Sequence, residues 1–248
     1  LSMVRCPEGV GGACFYQRHP PTGLPDVVRR VKVREKSEWD TYLVVDNLEG
    51  LMALVQFGAL EIHVWGSQAD DLERPDQLVF DLDPAPDVPW KQVVDTALLL
   101  KKVLAELGLS TLVKTTGGKG LHVVAPIEPR EEWDAVKAFC RSVAEFMVRF
   151  DPDRYVANMS KAKRRGKIFV DYLRNDRGST AIAPYSTRAR PGGPVSVPVD
   201  WRKLRAVKSG SAFTLADASA VLGRSNPWKN FDALRRPITA KARQALAQ

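Results

Sequence analysis

The segment DQLVFDLDPAP, residues 76–86, constrains this chain more than any other. Its apolar residues are those of a buried strand, yet Asp81 and Asp83 interrupt them. Positions two apart on a strand share a face, so both carboxylates point the same way, with Cβ atoms roughly 6–7 Å apart. Two anions on one half-buried face repel each other and resist desolvation. A bound cation, a set of basic groups or a strand end open to water relieves them, and the fold has to provide one of the three.

The rest of the sequence is that of a globular chain. Its 248 residues are 44% apolar and 27% charged, enough to build one large domain or two small ones around a core. No apolar run approaches the ~18 residues needed to span a bilayer, and LSMVRCPEG has no h-region of a signal peptide. The formal net charge of +8 favours a polyanionic partner. Much of it lies in SKAKRRGK (160–167) and in YSTRARPGG, which carries Arg188 and Arg190. Standing alone, such runs are more often solvated loops. Cys6, Cys14 and Cys140 are an odd count, which predicts reduced thiols and a cytoplasmic setting. A zinc site from Cys6, Cys14 and His19 has no CxxC pair to support it.

Strands and helices alternate irregularly. Residues 1–35 read as irregular β structure around a Pro/Gly loop at 18–26. Asn47 caps a short helix over 48–57, with Leu48, Leu51, Met52 and Val55 on one side. LEIHVW alternates as a strand, placing Glu61, His63 and Trp65 opposite Leu60, Ile62 and Val64. A helix over about 90–107 stops at Gly108, and another is marked by Trp133, Val136, Cys140, Val143, Met147 and Phe150 at helical spacing. TLVKTT, LHVVAPI, KIFVDYL and TAIAPYS are further strands, and short helices follow near 215–222 and 237–247. The order fits a mixed α+β or α/β fold, a mixed sheet flanked by helices. With no linker to divide it, residues 1–248 read as one domain, of two lobes sharing a cleft.

Two more segments carry chemistry. In KIFVDYLRN, Asp171 interrupts an apolar strand as Asp81 and Asp83 do. In KTTGGKGLHVVAP (114–126), a glycine turn with Lys119 joins two strands, with His122 early in the second. Converging carboxylates suit Mg²⁺ or Mn²⁺, which prefer oxygen ligands, and a glycine turn lets backbone N–H groups approach phosphate. The turn is not a Walker motif, because a strand follows it instead of a helix. Singly, none is specific, and His63 and His122 taken alone are more often structural.

In combination, DLDP, TTGGKGLH and KIFVDYLRNDRGSTAIAPYSTRARPG closely resemble the polymerase domain of bacterial end-joining DNA ligase D, in the archaeo-eukaryotic primase superfamily. RCPEGVGGACFYQRH and LERPDQLVFDLDP extend the resemblance over essentially the whole chain. It implies a primase-type core on an RRM-like sheet and primer extension at DNA ends and gaps, often favouring ribonucleotides and stimulated by Mn²⁺. It implies that Asp81, Asp83 and Asp171 bind two Mn²⁺ or Mg²⁺ ions. His63, Thr116, Lys119, Arg164 and Arg188 match positions at the nucleotide's triphosphate or sugar, and His122 falls in the same motif. Phe15 matches an aromatic that packs on the incoming base. Where the family usually has serine, this chain has Thr116, which keeps the hydroxyl. The family also has a segment of a few dozen residues before the matching stretch, supplying basic residues for a downstream 5′-phosphate; this sequence begins after it. Ku and an ATP-dependent ligase are the implied partners, beside gapped primer-template and NTP or dNTP, in the nucleoid region of the cytoplasm.

Two other readings use the same residues. A non-catalytic DNA-end-binding module would rely on the net charge and on a loop over 18–36 bearing Arg18, Arg29, Arg30, Lys32 and Arg34. A metal-dependent nuclease would use the carboxylates, but the triphosphate-like basic set argues against it.

Overall fold

In the computed structural model, which describes residues 1–35, 37–223 and 225–247, the two interrupted strands lie side by side. Strands β1 (Ser2–Arg5) and β2 (Phe15–Gln17) are followed by a hairpin of β3 (Arg29–Glu35) and β4 (Glu38–Val44). Helix α1 (Leu48–Gln56) leads to β5 (Ala59–Val64) and β6 (Gln77–Pro84), the aspartate strand. Then come α2 (Trp90–Glu106), β7 (Leu112–Thr115), β8 (Leu121–Pro126), α3 (Trp133–Phe150), β9 (Tyr155–Val156) and β10 (Ile168–Asp171). Short elements β11 (Ala181–Ile182), β12 (Pro198–Val199), α4 (Ala218–Leu222) and α5 (Ala240–Leu246) complete the chain.

A six-stranded sheet runs β12-β7-β8-β6-β10-β9, antiparallel except for the β10–β9 pair. A four-stranded sheet runs β11-β5-β1-β2, and β3 and β4 pair separately. The fold is mixed α+β, as the sequence predicts. In the larger sheet, Leu78, Phe80 and Leu82 of β6 face one way with Val123, Val113 and Val170, and form the main core with α2 and α3. The alternate residues, Val79, Asp81 and Asp83, face the smaller sheet and the C-terminal segment. Only Val79 is covered by apolar groups there, among them Leu112, Val124 and Trp228.

The structure departs from the sequence reading in several places, and of the expected strand TAIAPYS only Ala181–Ile182 is strand. Asn47 does cap α1, accepting from Gly50 N–H at 2.7 Å, but Leu48, Leu51, Met52 and Val55 face outward. The packed side is Gly50, Ala53 and Leu54, whose small residues let the helix lie close over Met3, Val28 and Leu43. Cys6 and Cys14 are disulfide-bonded, and Cys140 is the buried free thiol. The bond follows from the antiparallel pairing of Arg5 with Phe15, which sets Cys6, just after β1, opposite Cys14, just before β2. It also removes the zinc reading, since both sulfurs are bonded to each other and His19 Nδ1 lies 3.1 Å from both Thr41 O and Asp40 Oδ1. Finally, 29–35 of the expected basic loop is strand β3, where alternation buries Val33 and exposes Arg30, Lys32 and Arg34; position 36 lies outside the described residues.

Candidate active site

Register builds the site. Asp171 on β10 is the direct partner of Asp81 on β6, and Phe169 is the partner of Asp83. Partnered residues of antiparallel strands point to the same face, so all three carboxylates share one. Asp81 also pairs with His122 on β8, and His122 with Lys114 on β7. Lys114, His122, Asp81 and Asp171 thus form one row across four strands.

Burial and charge set the state of this row. Desolvation pushes His122 down to about 4, helped by Lys114, so the ring is neutral near pH 7. Its Nε2 lies 3.4 Å from Asp81 Oδ2, and its buried Nδ1 has no partner. Burial alone would raise Asp81, but His122, Arg174 and Lys114 reverse this and hold its carboxyl below the usual range. Asp171 is raised, first by burial and then by Asp81, with Arg174 opposing. Lys114, buried and donating to Ser196 Oγ at 2.7 Å, is pushed down to about 7 by desolvation.

Basic groups surround the carboxylates. Arg174 reaches Asp81 Oδ2 through NH2 at 3.3 Å and Asp171 Oδ2 through Nε at 3.4 Å. It stands on a 3₁₀ turn, Leu173–Asn175. Asn175 pins that turn by bonding both the N–H and the carbonyl of Val79 where β10 no longer covers β6. Arg164 NH1 lies 3.2 Å from Asp83 Oδ2, its guanidinium over the Phe169 ring at 3.8 Å, and Lys119 Nζ lies 3.6 Å from Asp83 Oδ1.

Asp81 and His122 of this row open into a cavity of about 310 Å³ between the sheets, which Lys114 and Asp171 do not line. It brings together His63, Asp81, Asp83, Thr116, Lys119, His122 and Arg188 from the sequence expectation, with Arg174 and Arg190 in addition. The glycine turn forms one wall, fixed by contacts that admit no side chain. A Cβ on Gly120 would lie 2.0 Å from Leu82 O, one on Gly210 would lie 2.7 Å from Gly118 O, and one on Gly117 would lie 2.7 Å from Arg188 Cγ. Thr116 Oγ1 accepts from Gly118 N–H and donates to Gly120 O, both at 3.1 Å, so this hydroxyl closes the turn itself. On the β5 side, Glu61 binds His63 and Arg188.

Comparison with known proteins gives this arrangement a family. The family model described as LigD, primase-polymerase domain, matches residues 1–228. The chain belongs to the LigD primase-polymerase domain family. It is 38% identical to the multifunctional non-homologous end joining protein LigD of Pseudomonas aeruginosa, over 100% of this chain and 30% of that protein. The LigD of Mycolicibacterium smegmatis is 32% identical over 82% of this chain and 27% of its own length. The chain thus spans about a third or less of these relatives. Among solved structures, the polymerase domain of Mycobacterium tuberculosis ligase D, in complex with DNA, superposes with a TM-score of 0.85 at 29% identity, covering 94% of this chain and 84% of that one.

Asp81, Asp83 and Asp171 set hard oxygen donors on one face, the ligand chemistry that divalent cations prefer. Among the described residues no three acidic, histidine or cysteine side chains form a group that could hold a metal, and the carboxylates are turned to Arg174, Arg164 and Lys119. The Arg174 and Lys119 side chains are half-exposed.

Three expected residues lie apart from the cavity: Asp171, which shares the carboxylate face without lining it, Arg164 and Phe15. Arg164 borders a second opening, of about 610 Å³, with Lys161, Arg165 and Asp83. Phe15 faces away with Arg5, whose guanidinium lies 5.6 Å from its ring. Its neighbour Tyr16 takes the pocket side instead, edge-on to His63 at 5.8 Å and bonded to Thr180 Oγ1 at 2.8 Å. Of the basic residues at 18–34, Arg29 pairs with Asp46 and Arg30 with Asp26, while Arg18 lies over Tyr16. Arg34 is paired in register with Trp39, an exposed ring that the sequence reading passed over. Arg174 was also passed over, although it follows Asp171 by three residues, while Arg190 was noted only as a basic residue and Glu61 only as a strand position sharing a face with His63.

Proposed function

We propose that this domain is a DNA-directed nucleotidyltransferase that extends primer 3′-hydroxyls with NTPs, ribonucleotides included, at gaps and breaks during bacterial non-homologous end joining. One observation supports it above the rest: a register that sets Asp81, Asp83 and Asp171 on one face, beside a cavity ringed by Lys119, Arg174, Arg188, Arg190 and His63. Asp81, Asp83 and Asp171 would hold Mn²⁺ or Mg²⁺, which supplies Lewis acidity to the α-phosphate and lowers the pKa of the primer hydroxyl. The protein's own part is positioning and charge. Lys119 and Arg188 neutralise the triphosphate, the amides of the glycine turn approach its oxygens, and the same cations stabilise departing pyrophosphate. Neutral His122 braces Asp81 from below. The relatives' names place them in end joining, and Ku and an ATP-dependent ligase are the partners this reading implies.

The test is primer extension on 5′-phosphorylated gapped DNA, with rNTP and dNTP, in Mn²⁺ and Mg²⁺. Addition of single ribonucleotides that stops on chelation is expected. DNA binding that is indifferent to NTP and metal, with no extension, would favour the non-catalytic end-holding module.

A further inference from the structure

Glu61 is 5% exposed on β5, and an isolated buried carboxylate is costly. Three donors converge on it. Its Oε2 accepts from His63 Nε2 at 2.8 Å, and its Oε1 accepts from the Ala189 N–H at 2.9 Å. Arg188 Nε lies 3.3 Å from Oε1, an ion pair rather than an aligned hydrogen bond. A carboxylate can only accept, so this contact fixes the proton of His63 on Nε2. With Nε in the ion pair with Glu61, the terminal nitrogens of Arg188 are its remaining donors.

The two partners come from different segments. His63 follows Glu61 on β5, and Tyr16 closes one side of its ring. Arg188 belongs to the 187–194 loop and threads its stem over Gly117, so Glu61 links β5, that loop and the glycine turn. Both side chains line the cavity and are little exposed, His63 by 15% and Arg188 by 20%. Burial lowers the pKa of Arg188, and Glu61 counters this.

We propose that Glu61 is a positioning residue for triphosphate binding, holding His63 and Arg188 in the arrangement that presents them to the cavity. This rests on the reading of the cavity as a nucleoside triphosphate site. A purely structural Glu61 would change stability and leave affinity in the folded protein alone. A positioning Glu61 does the reverse.

Glu61→Gln separates them. Glutamine keeps the shape but offers a single acceptor oxygen, so it cannot serve both His63 and the Ala189–Arg188 pair, and an NH₂ group meets a donor. Loss of charge-assisted hydrogen bonds predicts that Kd for ATP with Mn²⁺, by titration calorimetry, rises about 10- to 100-fold. KM should follow, with kcat within about threefold and affinity for recessed primer-template unchanged. Glu61→Asp keeps the charge with a shorter reach and should fall between the two, which serves if the glutamine variant folds poorly. Unchanged or tighter ATP binding in both variants overturns the proposal, as does parallel loss of ATP affinity, DNA affinity and Tm. Wild-type protein that binds no ATP overturns the triphosphate reading and the proposal with it; wild type that binds, with variants its equal, overturns the proposal alone.

Discussion

The two faces of the six-stranded sheet are made from the same strands, one residue out of phase. Phe80 and Leu82 are fully buried under α2 and α3. Asp81 and Asp83 point into a polar cavity. One face is tied to stability and the other to binding, and alternation keeps them apart. On the apolar face neighbours are interchangeable hydrocarbons; on the polar face each charge is set by the next one in the row.

The comparison breaks most sharply at Asp81. Asp81→Asn should lower primer extension by on the order of 10³-fold while the far-ultraviolet circular dichroism stays native; retained activity would remove Asp81 from the chemistry. Its neighbour behaves oppositely. Phe80→Ala should cost about 3–5 kcal/mol in urea unfolding, and the fraction that remains folded should keep its affinity for ATP. Lys114 tests the polar face for stability. Its folded pKa of about 7 lies below the ordinary 10.5. Between those values the folded protein has released a proton that the unfolded chain retains, so stability rises with pH. Relative to Lys114→Met, wild type should gain up to about 1.4 kcal/mol per pH unit from pH 7 to 9 in metal-free buffer. A flat difference would mean an amine that stays charged. The smallest effect belongs to neither face. Met52→Lys, on the outward side of α1, should shift stability by less than about 0.5 kcal/mol; a loss of several would mean that this side is covered.

Much of the polar face could be read along single strands. Alternation put Asp81 and Asp83 together, and Asp171 with Phe169, because side-chain parity is a local property. The pairing of Asp81 with Asp171 could not, since register depends on which strands meet. Phe15 and Tyr16 illustrate the same limit: both are aromatic, and only the pairing of β2 with β1 decides which one turns toward His63. In α1 the apolar stripe was visible but not its direction, because small Gly50 and Ala53 give a weaker hydrophobic signal than the leucines they displace from the interface. The Cys6–Cys14 bond likewise depended on an adjacency that spacing alone does not encode. Arg174 and Glu61 were hidden for a different reason. Each acts by holding other charged groups, and its position near Asp171 or His63 in the sequence does not say which groups those are.

The glycine turn is clamped by main chain, with Gly120 against Leu82 O and Gly210 beneath Gly118. Lys119 therefore stands on a mount that has little freedom left to lose. Only the side chain of Lys119 is left to order, and the entropy of ordering the turn beneath it has been settled during folding.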